Sequence, residues 1–124
     1  MNKALLKARI FALLFILVIL GGSSVQGKNI PEAFSLTPDK LIHCLEYAML
    51  GFLLFRWLRL EYPLQTINTI SVITFLSGSL MGVIDENYQR LIPGRFPDFW
   101  DWVLDSMGVF LAAACMNVIA KRKC

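Results

Sequence analysis

Residues 85–105 concentrate the acidic side chains of an otherwise apolar chain. The segment holds five of the nine acids within 21 positions, and these are Asp85, Glu86, Asp98, Asp101 and Asp105. A charged side chain at the centre of a membrane helix costs about 2.5–3.5 kcal/mol on insertion scales. Such groups are retained where they are paired, face water or take part in chemistry. The segment therefore predicts a polar site.

A second polar stripe lies earlier in the chain, between residues 39 and 47. Asp39, His43, Glu46 and Tyr47 are spaced i, i+4, i+7 and i+8, which places them on one face of a helix. His43 is the only histidine of the chain, and a carboxylate one turn away can orient its imidazole. We expect this stripe to form the other half of the same site.

The combined residue types suit two kinds of chemistry. Arginine and histidine can hold a phosphate while a carboxylate moves protons. Alternatively, His43 with Asp85, Glu86 and Asp101 can bind a divalent cation. A third interpretation is structural, in which ion pairs and hydrogen bonds only hold the helices together.

Each candidate residue receives one expected role. The candidate catalytic residues are His43, Asp85, Glu86 and Asp101. The candidate ligand-binding residues are Asp39, Lys40, Tyr47, Gln89, Arg95 and Asp105. The sequence assigns no cofactor, and it leaves open both the identity of a metal and whether the protein is an enzyme.

Composition indicates a membrane protein. Of the 124 residues, 56% are hydrophobic and 17% are charged, and the mean hydropathy is +0.60, whereas a soluble domain carries about 25% charged residues. The net charge of +3 comes without a basic stripe interleaved with aromatics, which argues against a nucleic-acid partner. The three cysteines have the spacing of neither a disulfide framework nor a zinc motif.

Four apolar stretches predict an all-α fold, a polytopic transmembrane helical bundle of four spans. The predicted spans cover residues 1–22, 39–60, 66–84 and 98–120. The first is either a retained transmembrane helix (an uncleaved signal anchor) or a signal peptide cleaved near Gly27, and we favour the retained helix. Gly78 and Gly82 have the GxxxG spacing that allows helices to pack closely.

The distribution of basic residues predicts the orientation of these spans. Eight lysines and arginines fall on one side, namely Lys3, Lys7, Arg9, Arg56, Arg59, Lys121, Arg122 and Lys123. The positive-inside rule then makes both termini of this multi-pass cell-membrane protein cytoplasmic. Residues 23–38 become an extracytoplasmic loop, residues 39–120 a three-helix membrane domain and residues 121–124 a basic cytoplasmic tail. Both polar stripes meet at the extracytoplasmic face.

The polar residues also form a recognisable series of motifs. Asp39, Lys40, His43 and Tyr47 spell D-K-x-x-H-x-x-x-Y, and Asp85, Glu86 and Gln89 spell D-E-x-x-Q. P-G-R follows at residues 93–95, and D-x-x-x-D-x-x-G at residues 101–108. Within residues 36–120, this pattern resembles that of the VanZ-like membrane proteins. The chain departs from it at Asp105, where the family usually has asparagine, and at Asp98, where it often has serine.

The resemblance implies a small helical bundle that acts at the cell envelope. The family's namesake is associated with antibiotic resistance, specifically to teicoplanin-type glycopeptides. A similar role here implies membrane lipid as a partner and a phosphorylated lipid, lipid-linked or cell-wall precursor as the molecule recognised or processed. The alternative is a non-enzymatic structural or accessory membrane protein whose polar residues only hold the bundle together.

Overall fold

Four α-helices form the described part of the chain. This computed structural model describes residues 2–24, 38–94, 96 and 98–123, with side chains throughout these ranges except at residues 38–40. The helices are α1 (Lys3–Ser23), α2 (Pro38–Glu61), α3 (Ile67–Gln89) and α4 (Phe99–Arg122). No strand occurs in the described ranges, so the predicted all-α fold is confirmed.

Each helix is long and apolar enough to cross a membrane. Helices of 21 to 24 residues measure about 31–36 Å at about 1.5 Å per residue, and the hydrocarbon core of a bilayer is about 30 Å thick. Large apolar side chains face outward, as Leu17 and Leu45 do with exposed fractions of 63% and 61%. The predicted bundle of four apolar, membrane-spanning helices is confirmed.

Helix boundaries differ from the predicted spans mainly at α3. We predicted that the third span ends at residue 84, but α3 continues to Gln89. Asp85, Glu86 and Gln89 are buried against other helices, so their polarity does not end the helix. Of the predicted loop at residues 23–38, Ser23 belongs to α1 and Pro38 to α2, while residues 25–37 lie outside the described residues.

Side-chain caps define where two of the helices begin. Thr66 precedes α3 and accepts a hydrogen bond from the backbone N–H of Thr69 at 3.1 Å. Asp98 precedes α4 and accepts one from the backbone N–H of Trp100 at 3.1 Å. Small polar residues in these positions satisfy backbone donors that have no partner inside the helix.

Successive helices run antiparallel, and polar side chains lie at both ends of the bundle. At one end α1 and α3 finish and α2 and α4 begin, and we call this the polar end. Its polar residues are Ser23, His43, Asp85, Gln89 and Asp105. The opposite end is marked by Arg9, Trp57, Glu61, Asn68 and Asn117. Helix α2 makes its most extensive contact with α4, and α1 packs against α2 and α3.

Small residues bring the helices close together in the centre of the bundle. Val109 of α4 is fully buried and lies against both Gly51 of α2 and Gly78 of α3. A β-carbon at Gly51 would lie 3.1 Å from the Val109 α-carbon, which is tighter than ordinary van der Waals contact. This close approach fixes the spacing of α2, α3 and α4, and hence the geometry of the polar end.

Candidate functional site

His43 of α2 faces Asp105 of α4 at the polar end. The imidazole Nδ1 lies 3.1 Å from the Asp105 Oδ1, and both residues are buried. One turn farther along α4, Gly108 lies against the α2 backbone, where a β-carbon would come within 2.9 Å of the Ala48 nitrogen. The His43–Asp105 contact therefore depends on a glycine that lets two helix backbones approach.

Asp85 of α3 is surrounded by three hydrogen-bond donors. Tyr47 donates its hydroxyl to Oδ2 at 3.4 Å, Gln89 donates its amide to the same oxygen at 3.3 Å, and Ser23 donates to Oδ1. Gln89 also donates to the Ser23 oxygen at 3.4 Å. These contacts join α1, α2 and α3 and fix the orientation of the Asp85 carboxylate.

One donor atom each from His43, Asp85 and Asp105 converges on a single small volume. These three atoms lie within 4.8 Å of one another, although the residues come from three different helices. We expected the two polar stripes to meet, but the predicted cation-binding set was His43, Asp85, Glu86 and Asp101, without Asp105. Nitrogen and carboxylate oxygen atoms in such a group are able to bind a divalent cation.

Glu86 connects this cluster to an open cavity. Its side chain is buried, and neither carboxylate oxygen has a hydrogen-bond partner among the described residues. The cavity has a volume of about 280 Å³ and lies between the end of α3 and the start of α4. Its lining consists of Val83, Glu86, Asn87, Arg90, Asp98, Phe99 and Trp102. Glu86 thus belongs both to the wall of this cavity and to the group of buried acids.

The remaining predicted site residues divide into two groups. Asp101 is half-buried one turn before Asp105 on α4, and it is close enough to Glu86 for their charges to interact. The side chains of Asp39 and Lys40 and the whole of Arg95 lie outside the described residues. The expected contributions of these three residues stay predictions.

Sequence reasoning missed Ser23, and it named Arg90 only as one candidate cation partner of Asp85 and Glu86. Ser23 is buried beside Asp85, although its own neighbourhood in the sequence is a helix end rich in glycine and serine. The only available signal was topological, because four antiparallel helices place the end of α1 beside the end of α3. Arg90 follows the last residue of α3 and reaches the cavity wall.

A comparison with protein-family models identifies the family of the chain. A family model described as VanZ/LLP1 matches residues 6–120. The chain belongs to the VanZ/LLP1 family. The predicted resemblance is thereby confirmed, and the VanZ/LLP1 match begins within α1. No match was found among curated proteins or among solved structures.

Proposed function

We propose that this VanZ/LLP1 protein recognises or processes a phosphorylated lipid or cell-wall precursor at its polar end. The observation that carries the proposal is the cavity of about 280 Å³ that has Arg90 and Glu86 in its wall. A guanidinium group is well suited to bind phosphate oxygens, and an adjacent carboxylate can transfer protons. Phe99 and Trp102 in the same wall provide an aromatic surface of the kind found at membrane interfaces.

Each predicted residue has a place in this proposal. Arg90, Arg95 and Lys40 supply positive charge for the anionic group, and His43 contributes through the site that it forms with Asp105, while Glu86 and Asp101 handle protons. Tyr47 and Gln89 act by orienting Asp85, because both donate hydrogen bonds to it. Asp105 in turn orients His43. Asp39 lies one helical turn before His43 in the sequence and has a supporting role.

The proposed location is the cell membrane, with both termini in the cytoplasm and the polar end on the outside. Support comes from the basic residues of the opposite end, since Arg9, Arg56, Arg59 and residues 121–123 all lie at that end of their helices. An impermeant thiol reagent tests this orientation on Cys124, after serine has replaced Cys44 and Cys115. Labelling only in permeabilised cells supports the proposal, whereas labelling in intact cells contradicts it.

We also propose that α1 is retained in the mature protein rather than cleaved as a signal peptide. Its two ends both contribute contacts that the rest of the bundle uses. Arg9 Nε donates to Glu61 Oε2 at 2.8 Å, and Ser23 donates to Asp85. Intact mass spectrometry of the protein purified from membranes distinguishes the two cases, because a cleaved chain begins near Lys28.

A resistance assay tests the functional role of the polar end. We expect a strain that depends on the protein to lose its teicoplanin tolerance when it carries Glu86→Gln, while Glu61→Gln leaves tolerance intact. Both substitutions replace a carboxylate with an amide, but Glu61 lies at the opposite end of the bundle and does not line this cavity. The two variants are compared at equal membrane abundance and after their melting temperatures in detergent have been measured.

The assay has a clear opposing outcome. Equal teicoplanin tolerance in the strain with Glu86→Gln and the strain with the control variant contradicts a role of this site in glycopeptide resistance. Binding of the purified protein to vesicles that contain a polyprenyl phosphate, against vesicles of phosphatidylcholine alone, then tests recognition by itself. Equal binding to both vesicle types contradicts recognition of a phosphorylated lipid.

The alternative function is that of a structural or accessory membrane protein. The three hydrogen bonds to Asp85 favour this alternative, because they connect α1, α2 and α3 and stabilise the packing of these helices. This alternative predicts that Glu86→Gln and His43→Ala lower the melting temperature together with any cellular activity. Loss of activity at an unchanged melting temperature contradicts it.

A further inference from the structure

The polar end contains a group of metal-ligating side chains that is assembled by the fold. His43, Asp85 and Asp105 come from α2, α3 and α4, and one donor atom from each lies within 4.8 Å of the others. Their exposed fractions are 7%, 1% and 0%. Ligand groups that are distant in sequence and buried together in an apolar bundle are characteristic of sites with a bound ion.

Buried oxygen atoms without hydrogen bonds give an independent indication that a ligand binds here. In the described part of the chain, Asp105 Oδ2 and both oxygens of Glu86 are buried without a partner. A β-carbon at Gly82 would lie 3.5 Å from Asp105 Oδ2 and 3.1 Å from Trp102 Cδ1, so α3 packs closely beside this oxygen. Buried polar atoms are normally satisfied, and a cation is one partner that a carboxylate oxygen accepts.

The charges of these groups also favour a bound cation. Asp85, Glu86 and Asp105 are three buried acids, and His43 is the one basic side chain described among them. Glu86 lies close enough to the other three residues to interact with their charges. Buried acids at such short range repel one another when they are ionised, and a cation between them removes that repulsion.

A set of outer contacts holds one of the ligands in place. Asp85 accepts hydrogen bonds from Tyr47, Gln89 and Ser23. Hydrogen bonds from a surrounding shell typically orient the residues that ligate a metal. The Asp85 carboxylate has lone pairs beyond those that these donors use, so it remains able to bind an ion.

We propose that His43, Asp85 and Asp105 bind one divalent transition-metal ion such as Zn²⁺. An imidazole nitrogen favours Zn²⁺ over Mg²⁺ and Ca²⁺, which prefer oxygen ligands alone. With metal–ligand bonds of about 2.0–2.2 Å, the ligand atoms of a tetrahedral site lie about 3.4 Å apart. The 3.1 Å separation of His43 Nδ1 and Asp105 Oδ1 is already close to that value.

Metal analysis of the purified full-length protein tests the site without reference to the proposed function. Cys44, Cys115 and Cys124 are first replaced with serine, because thiolates also bind Zn²⁺. The protein in detergent is stripped with a chelator and dialysed against Zn²⁺, and the metal per chain is measured by mass spectrometry. We expect one Zn²⁺ per chain and a higher melting temperature with Zn²⁺ than without it.

Single variants then assign the ligands. We expect Asp105→Asn and His43→Gln each to retain less than one tenth of the bound Zn²⁺. Ser23→Ala, which alters only the surroundings of Asp85, should weaken binding about tenfold without changing the stoichiometry. Glu61→Gln, at the opposite end of the bundle, is the control, with the same stoichiometry and affinity as the parent protein.

Three results overturn the proposal. The first is a parent protein that holds no Zn²⁺ above the level of a buffer blank. The second is equal Zn²⁺ content in the parent, Asp105→Asn and His43→Gln. The third is equal affinity for Mg²⁺ and Zn²⁺, which contradicts a ligand role for His43. If a ligand variant does not fold, the stoichiometry and metal preference of the parent still decide the question.

Discussion

Both ends of the bundle carry buried or half-buried acids, but the two ends differ in how fully the described hydrogen bonds satisfy them. At the opposite end, Glu61 accepts hydrogen bonds from Arg9 at 2.8 Å and from Trp57 at 2.9 Å, and Arg9 reaches its second oxygen as well. At the polar end, Glu86 has no described hydrogen-bond partner on either oxygen. Asp105 satisfies one oxygen through His43 and leaves the other without a described partner.

This difference separates two reasons for keeping charge in a membrane helix. A polar contact that only stabilises helix packing needs donors and acceptors that satisfy each other, as those of the opposite end do. Buried acceptors without donors lower stability, by about 1–3 kcal/mol for an unsatisfied group. Their presence at the polar end is explained if that end binds something from outside the chain.

The largest expected effect concerns the packing that brings His43 and Asp105 together. Gly108→Ala places a β-carbon against the α2 backbone, within 2.9 Å of the Ala48 nitrogen and close to the Cys44 carbonyl. Backbone atoms cannot move aside as a flexible side chain does, so we expect a loss of about 1–3 kcal/mol in the free energy of unfolding. Thermal unfolding in detergent measures it.

A glycine in open surroundings provides the control for this substitution. A β-carbon at Gly22 of α1 meets nothing within 4 Å. We expect Gly22→Ala to unfold at or slightly above the temperature of the parent protein, because alanine is the better helix former. Equal melting temperatures for the Gly108 and Gly22 variants would show that α2 and α4 do not pack as described.

We expect an intermediate effect when a residue that forms an interhelical hydrogen bond is replaced, and one such residue is compared from each end. Ser23 donates to Asp85 at the polar end, and Asn117 donates to Ser71 at 2.7 Å at the opposite end. Ser23→Ala and Asn117→Ala should each cost about 0.6 kcal/mol, and at most about 1.7 kcal/mol. Only Ser23→Ala should also weaken the cellular tolerance phenotype or the binding of Zn²⁺. A similar functional loss in both variants contradicts a special role for the polar end.

The helices could be predicted well from the sequence, because the hydropathy and length of a segment identify a membrane span even when the packing of the helices is unknown. The stripes at His43 and Tyr47 and at Asp101 and Asp105 were predicted from helical spacing, and charge distribution placed them at one end. The extension of α3 to Gln89 was not predicted, since burial by neighbouring helices compensates the polarity of Asp85 and Glu86.

Other parts of the site depend on packing and left little local signal. Ser23 lies at the end of an apolar run and becomes part of the site only because α1 packs against α3. The pairing of His43 with Asp105 was likewise hidden, since Asp39 is the nearer acid in the sequence. Gly108 could be placed on the stripe of Asp101 and Asp105, but its contact with the α2 backbone appears only in three dimensions.

The same substitution at the two ends tests the central claim most directly. Glu61→Gln and Glu86→Gln both exchange a carboxylate for an amide of equal size, and metal-free melting temperatures are measured for both in detergent. We predict that Glu61→Gln lowers the melting temperature, because it weakens the contacts with Arg9 and Trp57. Glu86→Gln should leave the melting temperature unchanged or raise it. A fall for Glu86→Gln as large as that for Glu61→Gln would contradict the account and assign the polar end a structural role.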